Sequence, residues 1–252
     1  MARLNGTPTI RVTLPDRSST RQRDGVTSGP LIRLAVLDLA GTTVRDDGAV
    51  EAAFVEALRQ AGAGPDTEGF PHRLEYLRTS MGRSKIEVFR ELLGDETGAW
   101  HANEAFEAAY GAGLAAGGAE PIPGAVEAIA KLRAGGVQVC LTTGFSAKTL
   151  DALLDALAWH DRVDLALCPS PSVRGRPYPD LVLAAVLALG VDDVRDVAVA
   201  GDTANDLLAG TRAGASVVAG VLTGAHGRSE LAAVPHTHLL DSIADLPPLC
   251  IA

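Results

Sequence analysis

Four short stretches of this sequence combine carboxylates, hydroxyls, an arginine and glycines in ways that suit chemistry on an anion. The first is Asp38-Leu39-Ala40-Gly41-Thr42-Thr43. A carboxylate that ends an apolar run before a Gly-Thr turn can be a nucleophile, with turn N–H groups holding phosphate oxygens. It can equally cap the turn. The second, Thr142-Thr143-Gly144, offers a hydroxyl and free N–H groups ahead of a helix, which is an anion site or an ordinary N-cap. The third is Arg174-Gly175-Arg176-Pro177-Tyr178-Pro179-Asp180. Arg176, stiffened by the following proline, could neutralise phosphate and carboxylate charge together, or be a solvated loop arginine. The fourth is Gly201-Asp202-Thr203-Ala204-Asn205-Asp206. Asp202, Asp206 and Asn205 suit a hard cation such as Mg²⁺, although acidic residues also favour any helix N-terminus.

These stretches acquire meaning from the elements that carry them. Strand patterns alternate with helical ones, which signals a parallel sheet with crossover helices. Strands are expected at Arg33–Asp38, Val137–Leu141, Val163–Leu167, Val197–Ala200 and Ser216–Val221. Helices are expected over Gly124–Ala134, Ala147–Ala158 and Leu181–Leu189, with Gly135-Gly136, Gly190 and Gly214 where helix stops belong. Three of the four stretches follow a strand and the third precedes a helix. In open parallel sheets, ligands bind beyond the carboxyl ends of the strands.

One region breaks the alternation. From about Asp46 to Glu120 helical patterns follow one another, at Glu51–Ala61, Lys85–Leu93 and Ala102–Ala116. That is too long for a connection and suits a small helical insert. The expected architecture is therefore α/β: a Rossmann-like parallel sheet core, residues 30–45 and 121–252, with a helical cap domain, residues 46–120, inserted after the first strand. Residues 1–29 are rich in Arg, Ser, Thr and Gly and show no apolar periodicity. They read as a disordered extension or an early start codon, with an organelle transit peptide as the alternative.

Bulk composition narrows the function classes. The net charge is −9 over 252 residues, and no Lys/Arg cluster lies outside the first residues, which argues against nucleic-acid binding. The apolar runs are strand-length, so no membrane span is expected. Three widely spaced cysteines without a CxxC pair point to a reducing, cytoplasmic setting and no structural zinc.

In this order, the four stretches resemble the four motifs of the haloacid dehalogenase superfamily, over roughly residues 31–224. The resemblance implies that Asp38 is a nucleophile that becomes a transient aspartyl-phosphate. It implies Mg²⁺ held by Asp38, the Ala40 carbonyl and Asp202, with Asp206 supporting the metal shell or Arg176, and with Thr143, Gly144 and Arg176 binding phosphate oxygens. Typical phosphatases of that superfamily place an acid two residues after the nucleophile to protonate the leaving alkoxide; this chain has Ala40. Asp-x-Ala-Gly-Thr-Thr, Gly175-Arg176-Pro177-Tyr178-Pro179 and Met81-Gly82-Arg83-Ser84-Lys85-Ile86 together resemble the phosphonoacetaldehyde hydrolase (phosphonatase) branch. That branch uses a cap lysine as a Schiff base, so the electrons of a C–P bond leave into an iminium and no alkoxide forms. The resemblance also implies a homodimer through the cap. The chain departs from the branch at Val88, Phe145 and Gly48, where the family carries His, an aromatic hydroxyl and Cys.

Lys85 must be neutral to attack a carbonyl, whereas a free lysine titrates near ~10.4. Ser84 and Glu87 have capping-box spacing, and Ile86, Phe89, Leu92 and Leu93 form an apolar face. Lys85 is then in the first turn of a helix, where the dipole disfavours a cation by roughly 0.3–1 kcal/mol; desolvation must supply the rest. His72 and His101 fall in the insert without informative spacing. The expected activity is cleavage of phosphonoacetaldehyde or a close 2-oxoethylphosphonate. The rivals are a small-metabolite phosphomonoesterase and a non-catalytic phospho-ligand-binding scaffold.

Overall fold

A computed structural model describes residues 32–251 of the chain; the extension expected at 1–29 lies outside the described residues. Six short apolar segments form one parallel sheet: β1 (Leu34–Asp38), β2 (Gln138–Thr142), β3 (Leu165–Leu167), β4 (Val197–Gly201), β5 (Val217–Val221) and β6 (His238–Leu240), in the order β3-β2-β1-β4-β5-β6. Every residue of β1, β4 and β5 is buried, as expected of strands covered on both faces. Side chains alternate between two cores. Ala35, Leu37, Val139, Leu141, Ala198 and Ala200 face one; Leu34, Val36, Cys140, Val197 and Val199 face the other. Register fixes what matters for chemistry. Asp38 lies beside Thr142 and Leu37 beside Ala200, so the ends of β1, β2 and β4 share one edge. Strand order reverses between β1 and β4, and the crevice opens there.

Between β1 and β2 the chain makes α1 (Ala49–Gln60), α2 (Phe70–Thr79), α3 (Lys85–Leu93), α4 (Glu96–Ala115) and α5 (Ala125–Ala134). Helix α6 (Ala147–Leu157) follows β2, α7 (Asp180–Leu189) follows β3, α8 (Ala204–Ala213) follows β4 and α9 (Arg228–Ala232) follows β5. Helices α1 to α4 form the insert. Phe54 of α1 packs on Phe89 of α3 and on Phe106 of α4, both at 4.8 Å between ring centroids.

Several differences from the sequence reading have physical causes. Helix α2 buries only Leu77; without an apolar stripe it has no periodic signature. Strand β6 has three half-buried residues at the sheet edge, too few to show alternation. Helix α4 starts at Glu96 rather than Ala102, because the Asp95 carboxylate accepts the Gly98 N–H at 2.6 Å and caps the helix. The Ser84–Glu87 capping box does not form: Ser84 is the N-cap residue of α3 but accepts no side-chain hydrogen bond. No helix among the described residues is long and apolar enough to cross a membrane.

Candidate active site

The turn after β1 is wound tightly around Leu39, whose carbonyl accepts the N–H groups of Thr42, Thr43 and Val44. The Thr43 hydroxyl donates to the Asp38 carbonyl at 2.8 Å. Gly41 sits at φ +87°, and a Cβ there would lie 2.5 Å from an Asp202 carboxylate oxygen. Only glycine lets the first and fourth stretches close on each other in this way. Asp202, just past β4, is gripped on both oxygens: Thr42 Oγ1 donates to Oδ1 at 3.2 Å and the Ala225 N–H to Oδ2 at 2.7 Å.

Arg176 is the buried cation of the site, 4 % exposed. Its Nη1 donates to Asp38 Oδ1 at 2.5 Å and to Asp206 Oδ1, and its buried Nε has no hydrogen-bond partner among the described residues. The other Asp206 oxygen accepts from the N–H and hydroxyl of Thr203, at 3.1 and 2.5 Å. Asp206 thus stands behind Arg176, the second of the two roles expected of it. Asn205 does something the sequence did not disclose. Its Nδ2 donates to the Met81 carbonyl at 2.7 Å, tying the core to the loop before α3.

That loop brings Lys85 over the strand ends. Lys85 is the first residue of α3, and its backbone N–H donates to the Gly144 carbonyl at 3.2 Å. Gly82, at φ +82°, approaches so closely that a Cβ would be 2.6 Å from Thr203 Oγ1. At Gly144 a Cβ would be 2.2 Å from the Arg83 carbonyl oxygen. The Lys85 amine lies 5.4 Å from the Phe54 ring centroid and 5.2 Å from that of Phe145. Phe145 in turn packs on Tyr110 of α4 at 4.7 Å.

The electrostatics follow from burial. Desolvation is the largest influence on Lys85, with Arg176 repelling it, and the two lower its pKa to about 8 against the pull of Asp38, Asp46 and Asp202. Desolvation likewise raises Asp38 to about 6, reinforced by Asp206 and opposed by Arg176. Asp202 is raised by burial and by repulsion from Asp38 and Asp206.

A cleft is lined by Asp38, Ala40, Lys85, Thr143, Gly144, Arg176 and Asp202 among others. Every expected site residue therefore converges there except Asp206, which supports Arg176 from behind. Asp46 and Val50 of the insert also line it; neither sits in a motif, and no sequence signal singled them out. His226 was missed too: its Nδ1 accepts the Ala204 N–H at 3.0 Å, closing the N-terminus of α8.

The family model for haloacid dehalogenase-like hydrolases matches residues 32–214. The chain belongs to that family. This hydrolase is also 32% identical over 243 residues to a phosphonoacetaldehyde hydrolase of Bacteroides fragilis, covering 88% of this chain and 89% of the relative. It is 27% identical to a probable phosphatase of Dickeya dadantii, covering 84% of this chain and 91% of that one. In fold, the hydrolase is similar to a phosphonoacetaldehyde hydrolase-like protein from Oleispira antarctica, with a TM-score of 0.74 at 24% identity over 90% of this chain and 94% of that one.

Proposed function

We propose that this hydrolase cleaves the C–P bond of phosphonoacetaldehyde or a closely related 2-oxoethylphosphonate, with Mg²⁺, through an imine on Lys85 and a phosphoryl group on Asp38. The observation that carries the reading is Lys85. A buried amine lowered to about 8 shares a cavity with Asp38, while Ala40 leaves the usual acid position empty.

The residues present fit a divalent cation. Asp38, Asp202 and Asp206 are all buried; Arg176 pairs with Asp38 and Asp206, whereas Asp202 has no ion-pair partner among the described residues, and an unpaired carboxylate is costly in a desolvated site. No group of three or more His, Cys, Asp or Glu able to hold a metal exists among the described residues. Asp38, Asp202 and the Ala40 carbonyl make an oxygen-only set, of the kind with which Mg²⁺ keeps several waters. These residues would hold the ion, which would supply positive charge to a phosphonate bound beside Asp38.

The side chains then divide the work. Arg176, Thr143 and the Gly144 N–H hold the phosphonate oxygens. The free amine of Lys85 condenses with the aldehyde to an iminium. Asp38 attacks phosphorus as the C–P electrons move into the iminium, leaving an enamine on Lys85 and a phosphoryl group on Asp38. Hydrolysis of both releases aldehyde and phosphate. Loop 81–85, resting on Gly144 and Thr203, keeps water from the reacting atoms.

Incubation with phosphonoacetaldehyde and Mg²⁺ tests this: phosphate should be released, and borohydride should inactivate by fixing the substrate carbon on Lys85. Release that survives Lys85→Ala would overturn it. A second reading, phosphomonoester hydrolysis, has the Dickeya dadantii relative in its favour; Ala40, with no acid for an alkoxide, stands against it.

A further inference from the structure

The cavity holds one acidic side chain that the phosphonate end does not use. Its titratable lining residues are Asp38, Asp46, Lys85, Arg176 and Asp202. Three of these, Asp38, Arg176 and Asp202, are linked through direct contacts or repulsion at the strand ends. Asp46 belongs to the insert, with Lys85. It is half-buried, and its Oδ1 accepts the Val50 N–H at 3.0 Å, which fixes the carboxylate at the start of α1 beside another lining residue. Its charge acts on the Lys85 amine, yet no ion pair joins the two among the described residues, so a water or a substrate oxygen can stand between them. The two rings that flank the amine, Phe54 and Phe145, carry no exchangeable proton, and Val88 is buried hydrocarbon.

Imine chemistry needs a proton carrier at this point. We infer that Asp46 is the acid–base group that makes and later hydrolyses the imine on Lys85. This rests on the reading of Lys85 given above. The Asp46 carboxylate takes one proton from the Lys85 ammonium, through the intervening oxygen. The freed lone pair attacks the carbonyl carbon, and the carbonyl π electrons move to oxygen. One N–H proton passes to that oxygen, giving a neutral carbinolamine. The nitrogen lone pair then forms C=N as the C–O bond breaks, and the departing hydroxide takes the Asp46 proton. Water and an iminium result, and Asp46 is again a carboxylate; the overall exchange of ammonium and aldehyde for iminium and water is balanced. After C–P cleavage and protonation of the enamine carbon, the same carboxylate accepts a proton from the water that attacks the iminium.

The test separates this step from phosphorus chemistry by using acetaldehyde, which has no C–P bond. The rate of borohydride-trappable adduct on Lys85 is measured for wild type and Asp46→Asn, with and without added formate. Asn keeps an oxygen for the Val50 N–H, but its amide neither takes up nor releases a proton at neutral pH. We expect the trapping rate to fall by about 10²-fold or more, the usual worth of a positioned acid–base group. Formate should restore it in proportion to its concentration, which a purely structural defect would not allow. If Asp46→Asn does not fold, Asp46→Ser gives the same readout. Trapping at the wild-type rate in a folded variant, or a loss that formate does not restore, would overturn the role of Asp46 and leave the Lys85 reading intact. Wild-type protein that forms no adduct on Lys85 would remove that reading, and this inference with it.

Discussion

Lys85→Met should make the protein more stable and, for C–P cleavage, inactive. The side chain is 6 % exposed, and Met keeps its length and most of its packing. Burial takes the amine from an ordinary 10.5 to about 8. At about 1.36 kcal/mol per factor of ten, holding the ammonium inside costs roughly 3 kcal/mol near pH 7. Attraction to the Phe54 and Phe145 rings returns about 0.5–2 kcal/mol, leaving an expected gain of about 1–3 kcal/mol for the variant. The sign of the pH dependence is fixed. Because the folded value lies below the unfolded one, the unfolded chain binds more protons between about 8 and 10.5. Wild type therefore gains stability as pH rises through that window, and the variant does not. Other groups titrating there are common to both proteins and cancel in the difference. Urea unfolding of both proteins from pH 7 to 10 measures it: the gap should be largest at pH 7 and close toward 10.5. A variant less stable than wild type at pH 7, or a gap that does not change with pH, would refute the claim that Lys85 is held at a desolvation cost.

Other consequences are equally concrete. Ala40→Asp supplies the missing acid, and steady-state assays with small phosphomonoesters should show turnover rising by about 10²-fold or more; no rise would mean that residue 40 is not what limits ester cleavage. Asn205→Ala removes the hydrogen bond to the Met81 carbonyl. At about 0.5–1.5 kcal/mol, kcat/KM for phosphonoacetaldehyde should fall roughly two- to tenfold, with phosphate inhibition unchanged. Gly82→Ala sets a Cβ 2.6 Å from Thr203 Oγ1 at φ +82°; it should lower Tm and raise proteolysis between α2 and α3. Mg²⁺ should raise the Tm of wild type and not that of Asp202→Asn, read by thermal unfolding with and without EDTA.

The sequence by itself determined the parallel sheet and the chemistry at its edge. Apolar runs such as Leu34–Leu37 and Val197–Ala200 could only be buried strands, and each motif followed or preceded an element that puts it at a carboxyl end. Asp38, Thr143 and Asp202 were each legible at a strand end, and the resemblance to the superfamily motifs implied that they meet; the strand order that makes β1, β2 and β4 adjacent came with the structure. The absence of an acid at Ala40 was legible too, because it is a matter of identity at one position. Lys85 was legible only as part of a motif, since nothing in its local pattern says that α3 leans over the core.

Tertiary structure decided the rest. Whether Lys85 is a surface ammonium or a buried amine depends on Phe54, 31 residues earlier, and Phe145, 60 residues later, and burial is a property of the assembled layers. Asn205 stands among carboxylates in the sequence, but its Nδ2 reaches the Met81 carbonyl, 124 residues away, a contact that no local pattern discloses. Asp46 carried no signal because a half-buried acid at a helix start is locally indistinguishable from a solvated one. It lines the cavity with Asp38 and Lys85, held at the start of α1 by the Val50 N–H. Periodicity and motif spacing report the backbone path, whereas desolvation, which sets the proton affinities at this site, depends on what distant segments exclude from water.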